Sequence, residues 1–195
     1  MFTIIPCEAG CGSAAITGSQ LCAIHAANPA EEASRLAALM HQRKTIKDLN
    51  APGLHFEDID FSGYSFYECN FRKASFASCS FADTFMRMVF FDFTDFFDCK
   101  FTHTNLQFVS FAGSRIRNTS FKDSELVSVN YNGSLILDCS FDDSDLSHSR
   151  FIDTAIEQVT FKNCNVPMVM FIDSRQKDVS FRLTNTQKAI YELIE

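Results

Sequence analysis

Three cysteines and a histidine near the start of the chain have the spacing of metal ligands. Cys7 and Cys11 stand three residues apart in CEAGC, and Cys22 and His25 two apart in CAIH. Ten residues separate the two pairs. Two close pairs of soft ligands, joined by a loop containing Gly and Ser, suit a tetrahedral structural Zn²⁺. So short a segment holds no core of its own, and bound metal would supply its folding free energy. The bland alternative is a flexible, reduced tail with incidental cysteines. His25 is the weakest of the four ligands, and His41 lies on a different predicted element. A closed four-ligand site leaves no open position for catalysis, so its expected role is structural.

Little else in the sequence suggests reaction chemistry. No Ser–His–Asp, HExxH or phosphate-loop pattern is present, and His103 and His148 fall at solvated turn positions. No enzyme is expected. The net charge of −7 over 195 residues argues against direct nucleic-acid binding. No secretory leader and no 18-residue apolar run are visible, so a cytoplasmic protein without a membrane span is expected.

The elements that must carry the four ligands follow from a repeat. Every fifth residue from Phe56 to Phe181 is large and apolar, with Gln176 the one polar member of 26. Two residues before each stands a small residue: Ala, Ser, Thr, Cys or Val in the series from Cys69. A period of five fits neither a helix nor a plain strand; it needs a short extended piece and a turn, repeated. A longer period lies inside it. Phe71, Phe91, Phe111, Tyr131, Phe151 and Phe171 are aromatic at intervals of twenty, as are Phe81, Phe101, Phe121, Phe141, Phe161 and Phe181. The alternate series drift to aliphatic. Four sides and twenty residues per turn explain both periods, with like side chains stacked in ladders.

CNFRK, CSFAD, TNLQF and SDLSH match the unit of the pentapeptide-repeat family, which this chain resembles over about residues 54–185. The resemblance implies an all-β solenoid: a right-handed quadrilateral β-helix of about six and a half coils. Here Phe is preferred over Leu, and sixteen of the 22 Phe are expected inside the column. Cys69, Cys79, Cys99, Cys139 and Cys164 occupy the small inward position and are expected to be inert core residues.

The expected organisation is a zinc-binding segment over 1–28, a capping helix over 29–53, the β-helix over 54–185 and a C-terminal helix over 186–195. The first helix is acidic at its start and basic at its end, and would cover the open edge of the column. In the second, Ile190, Leu193 and Ile194 would cap the last coil or pair with a second copy in a homodimer.

Two surface features bear on function. By register Phe85, Met88, Phe90, Phe93, Phe97 and Phe108 point outward, more apolar surface than a monomer ordinarily exposes. A protein partner or second subunit covers them, or the N-terminal segment folds over them, or they are scattered without a role. Asp123, Glu125, Asp142, Asp143 and Asp145 form an acidic area. The expected function is a non-enzymatic protein-interaction scaffold. The alternative comes from the family: its best-known members mimic DNA and protect the type II topoisomerases gyrase and topoisomerase IV. The repeat region carries 18 acidic and 12 basic residues, and Arg115, Arg117, Lys122 and Lys162 interrupt the acidic area.

Overall fold

A left-handed backbone step recurs every five residues along most of the chain. In the computed structural model, which describes residues 4–192, all 28 positions from Asp48 to Leu183 in steps of five have positive φ. Each side takes five residues, one of them such a corner, and four sides close a coil of twenty.

The four sides stack as four parallel ladders. One is a five-stranded sheet that begins with β1 (Thr45–Lys47) and takes one strand from each coil up to Glu125–Val127. The third side is a seven-stranded sheet that begins with β2 (His55–Glu57) and ends at Arg175–Lys177. Between them the second side is held by seven bridges from Asn50↔Asn70 to Met170↔Ile190, and the fourth by six from Asp60↔Ser80 to Thr160↔Ser180. Partners are always twenty apart, as in Ile46↔Phe66 and Phe96↔Ile116. Seven steps of about 4.8 Å give a column about 34 Å tall.

The aromatic series become two continuous stacks, on the second and fourth sides. Phe111, Tyr131 and Phe151 follow one another at 5.2 and 4.7 Å between ring centroids, nearly parallel. Phe101, Phe121 and Phe141 do so at 5.0 and 4.8 Å. The stacks meet edge to face across the interior, as Phe121 and Tyr131 do at 6.1 Å and 88°. Both geometries suit the ring quadrupole, and such pairs contribute about 0.5–1.5 kcal/mol beyond area burial.

The small inward position does more than leave room. Ser114, Ser124, Ser144 and Ser149 each donate a hydroxyl hydrogen bond to the carbonyl 23 residues earlier, at 2.6–2.8 Å. Cys79, Cys99 and Cys139 place Sγ–H on the equivalent carbonyls of Phe56, Phe76 and Ile116 at 3.5–3.6 Å. Buried polar groups are therefore paired from coil to coil. Burial pushes the thiols of Cys69, Cys99 and Cys139 up to about 12 and that of Cys164 to about 11, so they stay protonated and unreactive at neutral pH.

Over the lower end packs α1 (Pro29–His41). The Asn28 side chain caps it by accepting from the Glu31 N–H, and Pro29 sits where no helical N–H is needed. Its stripe Ala33, Leu36, Ala37 and Met40 is buried against the first coil. The expected helix over 29–53 is too long: Lys44 takes φ 48, Thr45–Lys47 is already β1, and Ile46 and Ala51 sit in register beneath Phe66 and Phe71. The expected C-terminal helix is also corrected. Thr186–Lys188 is one 3₁₀ turn, Ile190 bridges to Met170, and Tyr191 stacks on Phe171 at 5.8 Å. The chain therefore continues the coil, because a ring on the Phe171 stack and a ladder bond outweigh a short isolated helix. Leu193 and Ile194 lie outside the described residues.

Among the described residues, Tyr131 Oη is the one buried side-chain polar atom without a partner. Tyr131→Phe is expected to raise stability by about 1–3 kcal/mol, the usual cost of an unsatisfied buried group. Phe121→Ala is expected to lower it by about 3–5 kcal/mol. Urea melts of the two variants would show midpoints moving in opposite directions.

Candidate metal centre and outer surface

Two turns bring the four N-terminal ligands together. The first closes with Gly10 N–H on the Cys7 carbonyl at 3.0 Å, and Cys7 N–H on the Ser13 carbonyl at 2.9 Å holds its flank. Gly10 and Gly12 have φ of 72° and 76°, which a glycine adopts at no steric cost. The second is closed by His25 N–H and Ala26 N–H on the Cys22 carbonyl, at 3.0 and 2.9 Å. The Cys7, Cys11, Cys22 and His25 ligand atoms all lie within 4.8 Å of one another.

Cys11 Sγ and Cys22 Sγ are 3.7 Å apart, and His25 Nδ1 is 3.4 Å from Cys22 Sγ and 3.6 Å from Cys7 Sγ. A tetrahedral Zn²⁺ with ordinary bond lengths has edges of about 3.8 Å between sulfurs and about 3.6 Å between sulfur and nitrogen. The residues fit such an ion. A 3.7 Å separation is also far too long for a disulfide, whose S–S bond is about 2.05 Å. Cys22 N–H donates to Cys7 Sγ at 3.4 Å. The Ser13 backbone N–H lowers the exposed Cys11 thiol to about 6, whereas burial raises that of Cys22.

This small module is fastened to the column. Thr17 N–H donates to the Asn50 carbonyl at 2.8 Å, and Asn50 N–H donates to Thr17 Oγ1 at 2.7 Å. Arg35 of α1 donates to the Thr17 carbonyl at 2.6 Å, and Ile16 is buried in the common core. The turns that carry the Cys7, Cys11, Cys22 and His25 cluster thus sit on the lower edge of the second side, outside the repeat.

The outward apolar residues do not form one patch. Phe85 lies on the first side against Tyr67, with centroids 5.5 Å apart. Phe97 lies on the third side with Arg117 over it at 5.7 Å. Around the second side stand Met88 and Phe108, stacked on one corner; Phe90 on the side itself; and Phe93 on the next corner. Arg72 covers Phe90 at 4.5 Å, and Ile4 borders the same hollow. Met88, Phe93 and Phe108 are 40%, 64% and 60% exposed. The Phe93 ring lies over Gly113, where a Cβ would come within 2.6 Å of it.

The acidic residues do gather. Asp123 and Asp143 share a corner, Glu125 and Asp145 are bridged beside them, and Asp142 flanks them. They are not bare. Asn105 donates to Glu125, Asn163 to Asp143 at 2.9 Å, and Ser147 N–H to Asp145 at 2.9 Å. The Asp142 carboxyl is held below its usual range by the Lys162 backbone N–H against the opposing effect of burial. Ten of the 15 aspartates stand at corner positions. Asp tolerates the left-handed region, so turn geometry accounts for most of the surface charge.

Comparison with protein families matches residues 114–190 to a pentapeptide repeat region and 94–130 to a run of eight pentapeptide repeats. Residues 94–190 are pentapeptide repeats. No curated protein sequence matches it. Among solved structures it is similar to a trypsin-treated form of QnrB1, described as a plasmid-mediated fluoroquinolone resistance protein. That match has 12% identity over 76% of this chain and 89% of that one, with a TM-score of 0.48. HetL, a pentapeptide repeat protein involved in heterocyst differentiation regulation in Nostoc sp. strain PCC 7120, matches at 9% identity. It covers 80% of this chain and 95% of that one, with a TM-score of 0.28. Rfr23 from Cyanothece 51142 matches at 6% identity over 82% and 99% of the two chains, with a TM-score of 0.32.

Sequence reading picked out the four residues that the fold brings together, Cys7, Cys11, Cys22 and His25, but missed Gly113 and the coil-to-coil hydroxyl bonds. Only the Ser and Thr preference at the small position signalled the latter. Purified protein is expected to carry about one Zn²⁺ per chain by elemental analysis. Cys22→Ser should release it and expose the N-terminal module to protease, while the β-rich circular dichroism of the repeat persists. A zinc-free protein purified under reducing conditions would overturn the assignment.

Proposed function

We propose that this protein is a non-enzymatic interaction scaffold, with a structural zinc ion at its base and a protein partner docked on the second side. The observation that carries this reading is the nature of three corner residues. Met88, Phe93 and Phe108 have φ of 56°, 58° and 54°. A left-handed backbone costs a bulky residue roughly 1–2 kcal/mol. These side chains also remain substantially exposed. Asp, Asn or Gly would avoid both costs, and one of them fills 16 of the 28 corners. Unfavourable placement in backbone and solvent together points to a use outside the free chain. The free thiols throughout the chain suit the reducing cytoplasm.

The triple variant Met88→Asp, Phe93→Asp, Phe108→Asp is expected to fold at least as stably as the parent in thermal melts. It should lose a partner that the parent captures from the native host. Retention of the same partner by the folded variant would overturn the reading.

A second reading, DNA mimicry toward a type II topoisomerase, is supported by the gathering of Asp123, Glu125, Asp143 and Asp145 around one corner. On it, the protein relieves quinolone inhibition of gyrase. Asp123→Lys with Asp143→Lys should then abolish the relief, with the largest loss at low salt. No effect on gyrase or topoisomerase IV at micromolar protein would remove it.

A further inference from the structure

The seven-stranded sheet of the third side ends at β2, and the way it ends leaves an edge open. Within the column each strand is paired above and below. Ser75, one coil above His55, donates its N–H down to the Leu54 carbonyl at 2.9 Å. Asp58 donates its N–H up to the Ala77 carbonyl at 3.0 Å. Peptide groups alternate along a strand, so His55 and Glu57 turn their N–H and C=O groups downward. Beneath Ser75 lies β2; beneath β2 lies no strand, because α1 occupies that place. The helix packs on β2 without closing against it. Between them runs a groove of about 550 Å³, lined by Pro29, Ala33 and Ser34 of α1 and by His55, Phe56 and Glu57 of β2. The other lower edges differ. Thr17 pairs with Asn50 under the second side, and in β1 the end residues Thr45 and Lys47 are exposed.

We propose that this groove is a strand-addition site for an extended peptide segment of a partner protein, one that carries a lysine or arginine. An edge strand with free backbone donors and acceptors is complemented by another strand and not by a helix. The three residues of β2 between the Gly53 and Asp58 corners limit the pairing to a short segment. The charge of the partner follows from the rim. Glu57 is largely exposed, with His55 at 3.7 Å its ion-pair partner among the described residues; Asp58 follows it at the corner, and Glu31 is exposed in the first turn of α1. The cation nearest by sequence, Arg35, is engaged by Glu32 at 2.7 Å and by the Thr17 carbonyl. The acidic rim thus selects a basic peptide. This inference deepens the scaffold reading, but it concerns a different face from the Met88, Phe93 and Phe108 corners.

The probe is a resin-bound library of pentapeptides with one fixed lysine, screened with the fluorescently labelled full-length, zinc-loaded protein. Selected peptides are expected to slow amide hydrogen exchange at His55 and Glu57, which in the free protein exchange faster than Phe56 and Asp58. N-methylation of alternate peptide nitrogens should weaken binding at least tenfold, as should Ser34→Trp, which fills the groove from its exposed rim. His55→Pro, which removes one edge donor, should do the same. If that variant fails to fold, Ser34→Trp and the exchange pattern decide. The proposal is overturned if no pentapeptide is selected, or if selected peptides bind Ser34→Trp as well as the parent or leave exchange at His55 and Glu57 unchanged. Binding should be unaffected by Met88→Asp, Phe93→Asp, Phe108→Asp, so failure here leaves the corner interface standing, and the converse holds.

Discussion

Everything in this molecule depends on a left-handed step taken at every fifth residue. That step bends three-residue strands into a closed four-sided course, and closure forces each residue to stand above the one twenty before it. Surface chemistry follows from that stacking. Identical acids in one ladder would lie about 4.8 Å apart and repel. The corner series Asp58, Ser78, Asp98, Asn118, Asp138, Gln158 and Asp178 alternates acid with neutral residue, and Asn118 donates to Asp98. The acidic exterior is thus largely a product of backbone geometry, and along this one corner the alternation limits its own repulsion, although Asp123 and Asp143 stack directly on one another.

Inside, two demands meet at adjacent positions. The large residue fills the column and stacks on its own kind; the small residue two places earlier tethers one coil to the next through its donor. Cysteine meets the second demand as serine does, with weaker hydrogen bonding and better apolar packing. Five thiols can therefore be buried here without chemical consequence, while the three outside the repeat gather with His25 in a cluster that could hold a metal ion. The same element has opposite roles according to what surrounds it.

The period was readable because Phe61 to Phe181 rarely depart from it. The ends were less so, for local reasons. Ile46 and Ala51 carry the register below Phe66 and Phe71, but Ala51 is too small to announce itself as a core residue. The expected helix therefore ran on through Lys44. At the other end Thr186 breaks the apolar series, and Ala189 and Ile190 mimic a helical stripe, which hid Tyr191 as the next ring of the Phe171 stack. The Cys7, Cys11, Cys22 and His25 cluster was legible from spacing alone, because short turns hold it together. The surface was not. Register sends Phe85, Phe93 and Phe97 outward, but only the folded coil shows that they face different directions, and that Phe93 rests on Gly113.

Strict stacking at intervals of twenty also sets how such a chain can change its length. Removing twenty residues, for example 110–129, would bring Tyr131 down onto the place of Phe111 and keep every ladder in phase, with a column shorter by about 4.8 Å. Removing five would also leave the interior apolar, yet everything above the cut would rotate by a quarter turn relative to the N-terminal base. Hydroxyl tethers would then meet the wrong carbonyls, and surfaces now on one side would part. Whole-coil duplication is thus the step by which a column of this kind can grow while its binding faces keep their bearing.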